Sequence, residues 1–155
     1  MKILVASSGS YDDAADRLES PLHDTHSVFS FPWPEEAEIH VLNVAEVMYP
    51  VMVGVGPDAV DTSDVQVRTA DDAKATANRS AMRFRSLGFT AEGLGMTGEP
   101  QAAILEHAKE WGADLIVVGL HDCTRVERFL IGSIAESVVK HAPCSVLVLK
   151  HRAGV

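Results

Sequence analysis

Basic residues are scarce in this chain. Lysine and arginine together number 13 against 22 aspartates and glutamates, a formal net charge of −9. That balance argues against nonspecific binding to nucleic acid or anionic lipid, either of which needs a basic face. Long apolar runs are missing as well: none approaches the roughly 20 residues of a membrane-spanning helix. Met1-Lys2-Ile3 leads straight into a strand pattern without the architecture of a signal peptide, so a cytoplasmic protein is expected. Only two cysteines occur, Cys123 and Cys144, and their spacing is not that of a metal site or of an expected disulfide. His23 and His26 stand three apart and His121 adjoins Asp122, yet neither pair has a third ligand at recognisable spacing, so no metal is expected.

What is present is the composition of one globular domain spanning residues 1–155, 46% hydrophobic with a mean hydropathy of +0.08. Residues 2–6 read as a buried strand, followed by the turn Ser7-Ser8-Gly9-Ser10. A helix is predicted from about Tyr11 toward Phe29, interrupted at Pro21. Pro32-Trp33-Pro34 is a rigid connector into a second strand over 38–44. Residues 45–63 mix apolar side chains with Pro50, Gly54, Gly56 and Pro57 and read as a long flexible loop, either functional or covering a sheet edge or a second subunit. A long helix is predicted from about Asp64 to Leu87, with Ala70, Ala73, Ala77, Ala81 and Phe84 forming a narrow stripe that lets it sit close to a sheet. Phe89 to Met96 supplies a third strand, which Gly93 and Gly95 assign to an edge. Pro100 opens the next helix and Gly112 closes it.

The stretch 113–150 organises the rest. Leu115-Ile116-Val117-Val118 is a short β-branched run typical of a parallel strand buried on both faces, and it stops at Gly119. After a loop, Gly132-Ser133 opens a helix, with Ser133 and Glu136 spaced as in a capping box. Pro143 ends that helix and 145–149 reads as the last strand. Strands and helices alternate throughout, which predicts an α/β fold with right-handed crossovers.

Gly119, Asp122, Gly132 and Ser133, followed by His141-Ala142-Pro143-Cys144, resemble the signature Gly-x2-Gly-x9-Gly-Ser of the universal stress protein family, with Asp122 in place of the second glycine. The resemblance extends over essentially the whole chain. It implies a single-domain Rossmann-like sandwich: a five-stranded parallel sheet in the order 3-2-1-4-5 with four helices on both faces. It also implies a cytoplasmic, dimeric stress-response or signalling protein that binds an adenine nucleotide, ATP, in the crevice where strand order reverses. By resemblance the nucleotide site comprises Ala6, Ser7, Ser8, Val44, Val118, Gly119, His121, Asp122, Gly132, Ser133 and Ile134. Val44 would offer backbone groups to adenine, Val118 would line the base and ribose pocket, and His121 would meet ribose or phosphate.

Phosphate would be held by exposed N–H groups at the glycine-bearing loop and the helix start. Asp122 opposes this, because a carboxylate within ~4–6 Å of phosphate is repelled by about 1 kcal/mol or more. Either Mg²⁺ bridges the two or the side chain turns to solvent. Ser8 stands where the family carries aspartate. The alternative is the same fold with a degenerate, nucleotide-free pocket acting as a protein-interaction module. An adenylating enzyme is a further rival, but Ser8-Gly9-Ser10-Tyr11-Asp12-Asp13 lacks the second glycine and final serine of the pyrophosphatase loop, so no catalytic residue is assigned and at most slow ATP hydrolysis is expected. The last strand, 145–149, is an edge suited to pairing with its counterpart in a homodimer.

Overall fold

Lys2–Ser7 (β1), Glu38–Ala45 (β2), Thr90–Thr97 (β3), Leu115–Leu120 (β4) and Ser145–Lys150 (β5) are the strands of one parallel sheet, in the order β3-β2-β1-β4-β5. They belong to a computed structural model that describes residues 1–7, 28–46, 69–120 and 133–150. Among these residues there are three α-helices, Ala70–Ser86 (α1), Pro100–Trp111 (α2) and Ser133–His141 (α3), and a 3₁₀ turn at Val28–Ser30. The sheet order and fold class are those expected. The additional helix expected between Tyr11 and Phe29 falls on residues outside the described set, apart from that terminal 3₁₀ turn.

Alternation along the strands divides the interior in two. Ile3, Val5, Ile39, Val41 and Val117 face α1, joined by Trp33 from the proline-flanked connector. Leu4, Leu42, Ile116 and Val118 face α2 and α3, meeting Ile104, Ala108, Ala135 and Val138. Burial on both faces is what confines polar residues to the ends of the central strands. The connector is fixed by Trp33, whose Nε1–H donates to the Val28 carbonyl at 2.7 Å.

Helix α1 begins at Ala70, later than the expected start near Asp64, because Thr69 is its N-cap. Thr69 has extended backbone (φ −98, ψ 168). Its Oγ1 accepts from the Asp72 amide at 3.2 Å, while Asp72 Oδ2 accepts from the Thr69 amide at 2.8 Å. This reciprocal box satisfies two otherwise orphaned N–H groups and sets the boundary. Residues 64–68 lie outside the described set. Ala73, Ala77, Ala81 and Phe84 are fully buried, as the stripe predicted.

Their counterpart is on β3, which starts at Thr90, one residue later than expected, and occupies the sheet edge as predicted. A Cβ on Gly93 would stand 2.5 Å from the Asn78 amide nitrogen, and one on Gly95 would overlap backbone at Lys74 and Ala70. The glycines therefore answer to the close approach of α1 as well as to edge position. Pro100 opens α2 and Gly112, in the left-handed region at φ 71, closes it. Ala45 is the buried last residue of β2. Residues 47–63 of the expected loop lie outside the described set.

Candidate functional site

The flanking ladders run further than the central one: β1 and β2 pair through Ser7–Asn43, where β1 ends, and β4 and β5 through Leu120–Lys150, where both strands end. Between β1 and β4 the pairing ends earlier, at Ala6–Val118. Here the chain order reverses, since β1 connects toward β2 on one side and β4 toward β5 on the other. A parallel sheet opens its ligand crevice at such a point.

The described candidate residues gather around this opening. Ala6, Val44, Val118 and Ile134 all pack on the side occupied by α2 and α3. Val118 is buried, Ala6, Val44 and Ile134 are half-buried, and Ser7 is half-buried at the end of β1. Gly119 is exposed at the end of the β4 hydrophobic run, and Ser133 is exposed as the first residue of α3. Four apolar side chains thus share one cluster, while Ser7, Gly119 and Ser133 bring backbone and hydroxyl groups to the ends of the elements that carry them. Ser8, His121, Asp122 and Gly132 lie outside the described residues, as do His23, His26 and Cys123.

The capping box expected between Ser133 and Glu136 is corrected. Glu136 Oε1 accepts from Lys140 Nζ at 2.6 Å, one turn down the helix. That bond draws its pKa below the ordinary carboxylate value, with the charge of Lys140 acting in the same direction. An i,i+4 partner is geometrically nearer the carboxylate than the helix start once the side chain lies along the exposed face.

Asn43 is a residue that the motif reading missed. It is fully buried at the carboxyl end of β2. Its Nδ2 donates to the Ser7 carbonyl and to Ser7 Oγ, both at 3.1 Å, while Ser7 Oγ donates to the Leu42 carbonyl at 3.4 Å. The buried amide thus pins the end of β1 at the lip of the opening. The available signal was one amide within the apolar run Val41-Leu42-Asn43-Val44. Buried polar side chains are retained where they have partners to satisfy.

Cys144 packs against the α2–α3 side of the core, the packing role expected of it. Burial pushes its thiol pKa up, with Asp114 adding to the rise. Among the described residues no group of three or more His, Cys, Asp or Glu is placed to share a metal ion, and no helix is long and apolar enough to cross a membrane.

The universal stress protein family model matches residues 33–150, three quarters of the chain. The chain belongs to the universal stress protein family. A Staphylococcus epidermidis protein carrying the universal stress protein name is 48% identical over 54 residues, which are 34% of this chain and 32% of that relative. The chain thus spans about a third of the length of the curated relatives it matches. Among solved structures, a universal stress protein in complex with cAMP is 21% identical with a TM-score of 0.55, covering 98% of each chain. The universal stress protein from Archaeoglobus fulgidus in complex with dAMP is 20% identical with a TM-score of 0.52, covering 97% of this chain and 98% of its own. Identities at this level establish the shared fold.

Proposed function

We propose that this universal stress protein is a cytoplasmic stress-response or signalling protein that binds an adenine nucleotide, ATP, in the crevice between the carboxyl ends of β1 and β4. The observation that carries the reading is the early end of the β1–β4 ladder at Ala6–Val118 while both flanking ladders continue. Fold relatives crystallised with cAMP and with dAMP support an adenine nucleotide as the class of ligand.

In this reading Ala6 and Val118 line the base and ribose pocket, and Val44 offers backbone groups to adenine. Ser7 and Ser8 line the β1 side, His121 meets ribose or phosphate, and Gly119, Gly132, Ser133 and Ile134 supply the phosphate cradle. Where the residues hold nucleotide, Asp122 either faces solvent or shares a Mg²⁺ with phosphate. No catalytic residue is assigned, and the function is binding. The whole of 1–155 acts as one domain, with 45–63 as a loop within it.

The test is to denature freshly purified protein, look for released nucleotide by chromatography, and titrate ATP with and without Mg²⁺ into the emptied protein. Bound or rebinding ATP supports the assignment. Absence of both moves it to the second reading, a nucleotide-free interaction module, which the carboxylate of Asp122 at a phosphate-loop position favours. Replacing Asp122→Gly separates the roles: improved affinity marks repulsion, whereas loss of a Mg²⁺-dependent component assigns the carboxylate to the cation.

The same reading makes the protein a homodimer through β5. Among the described residues this strand pairs only with β4, and Val146, Leu147, Val148 and Leu149 along it are half-buried. A monomer mass by light scattering at micromolar concentration would refute the dimer.

A further inference from the structure

The amino-terminal end of the sheet, opposite the crevice, carries a cluster that nucleotide binding does not use. His40 on β2 and His107 on α2 bring Nδ1 of the first and Nε2 of the second to 3.0 Å. The His40 ring lies flat on the indole of Trp111, with centroids 3.7 Å apart and planes 10° from parallel. The His107 ring lies beyond, stacked 5.3 Å from His40. The contact is a hydrogen bond only while one of the facing nitrogens carries a proton and the other a lone pair.

Charged groups reach the pair from four elements. Glu92 on β3 stands 3.7 Å from His40 Nε2. Glu38 on β2 also favours the His40 cation, and Glu110 on α2, with Glu92, favours that of His107. Lys2 on β1 opposes the His40 cation. Its Nζ is tied to the Trp111 carbonyl at 3.1 Å and lies 5.3 Å from the indole centroid. Burial outweighs the carboxylates at both rings, and the two histidines oppose each other at His40, so both are held below the ordinary value of 6.5. Among the described residues only two ring nitrogens converge here, an arrangement that binds a proton between them rather than a metal ion.

We propose that the His40–His107 bridge is an acid-labile latch, fastening α2 to β2 while a facing lone pair remains and opening when both rings become cations. Two imidazolium rings present N–H to N–H across 3.0 Å, with no acceptor between them. The folded state therefore resists protons that the unfolded chain accepts. Stability is fully present above pH 6.5 and is lost as pH falls from 6.5 through the lowered folded values. Loosening does not stay local, because Ile104 and Ala108 of α2 share one core cluster with Ala135 and Val138 of α3.

The test follows amide hydrogen exchange, corrected for intrinsic rates, in α1 and α2 of the full chain between about pH 7.5 and about pH 5. It compares the wild type with His107→Gln, whose amide stays neutral while offering a donor to His40 Nδ1. In the wild type the opening constant of α2 should rise by up to about tenfold per pH unit for each imidazole held neutral, ahead of that of α1. In the variant the rise should be smaller, because one buried imidazole, His40, remains to be charged and the introduced amide can turn its carbonyl toward the His40 N–H, while the five other histidines contribute equally to both proteins. Matching pH profiles in wild type and variant would overturn the latch. So would imidazole resonances of His40 and His107 in the wild type that titrate at or above 6.5, a readout independent of how the variant folds.

Discussion

Gly93→Ala tests how closely α1 sits on the edge strand. The added Cβ would lie 2.5 Å from the Asn78 amide nitrogen and 2.6 Å from its Cα. Both are backbone atoms, so no side-chain rotation relieves the overlap, and contact at ordinary separation requires α1 to retreat by about 1 Å. A displacement of that size forfeits roughly a quarter to a half of the dispersion energy across the affected contacts. The fully buried Ala73, Ala77, Ala81 and Phe84 supply those contacts. Overpacking of this kind costs about 1–3 kcal/mol before the lost contacts are counted. Against it stands a gain of about 0.4–1 kcal/mol, because alanine has fewer unfolded conformations than glycine. The net expectation is destabilisation of about 2 kcal/mol, seen as a lower urea midpoint and a Tm fall of roughly 4–8 °C for a chain of this size. The sign is decisive. If Gly93 were only a weak strand residue, the same substitution would raise Tm, and an unchanged or raised Tm would refute the close approach.

Four further outcomes are accessible by the same or simpler assays. Thr69→Ala removes the hydroxyl half of the α1 capping box and should cost about 1 kcal/mol in urea unfolding, with a loss below a few tenths contradicting the assigned helix start. Phe84→Ala empties a fully buried site between Phe29, at 4.7 Å, and Phe89, at 6.4 Å; a loss of about 3–5 kcal/mol is expected, and one under about 1 kcal/mol would place the ring outside the core. Asn43→Ala withdraws a buried donor from Ser7 and should cost about 1–3 kcal/mol, with a weakened ATP titration if the end of β1 lines the crevice. In a Cys123→Ser background, alkylation of Cys144 should accelerate with pH only above the midpoint of an ordinary thiol, because burial disfavours the thiolate; a midpoint below it would refute the packing role.

Fold was legible wherever periodicity and burial carry the same message. The apolar runs at Ile3-Leu4-Val5 and Ile116-Val117-Val118 are buried on both faces, which a central parallel strand requires. The small-residue stripe of α1 and the edge position of β3 followed from residue type alone. Boundaries set by a side-chain bond were less legible. Thr69 and Asp72 could begin a helix, but so could the carboxylates upstream of them, and only the reciprocal bonds choose. At Ser133-x-x-Glu136 the motif was present and its bond was not, because Lys140 competes for the carboxylate. Asn43 and the His40–His107 bridge were invisible for a different reason. Their partners lie 36 and 67 residues away, and no local pattern encodes a contact that only strand register and helix placement create.

The two ends of the sheet are closed differently, and that difference marks where strand order leaves an opening. At the amino end the central strands are stitched beyond their ladders. The Asp114 amide donates to the Lys2 carbonyl at 2.8 Å, the Lys2 amide to Asp114 Oδ2 at 2.7 Å, and the Glu38 amide to the Met1 carbonyl at 2.9 Å. Trp111, His40 and His107 then cover that end with stacked rings. At the carboxyl end the β1–β4 ladder ends at Ala6–Val118, leaving backbone groups that must find partners elsewhere.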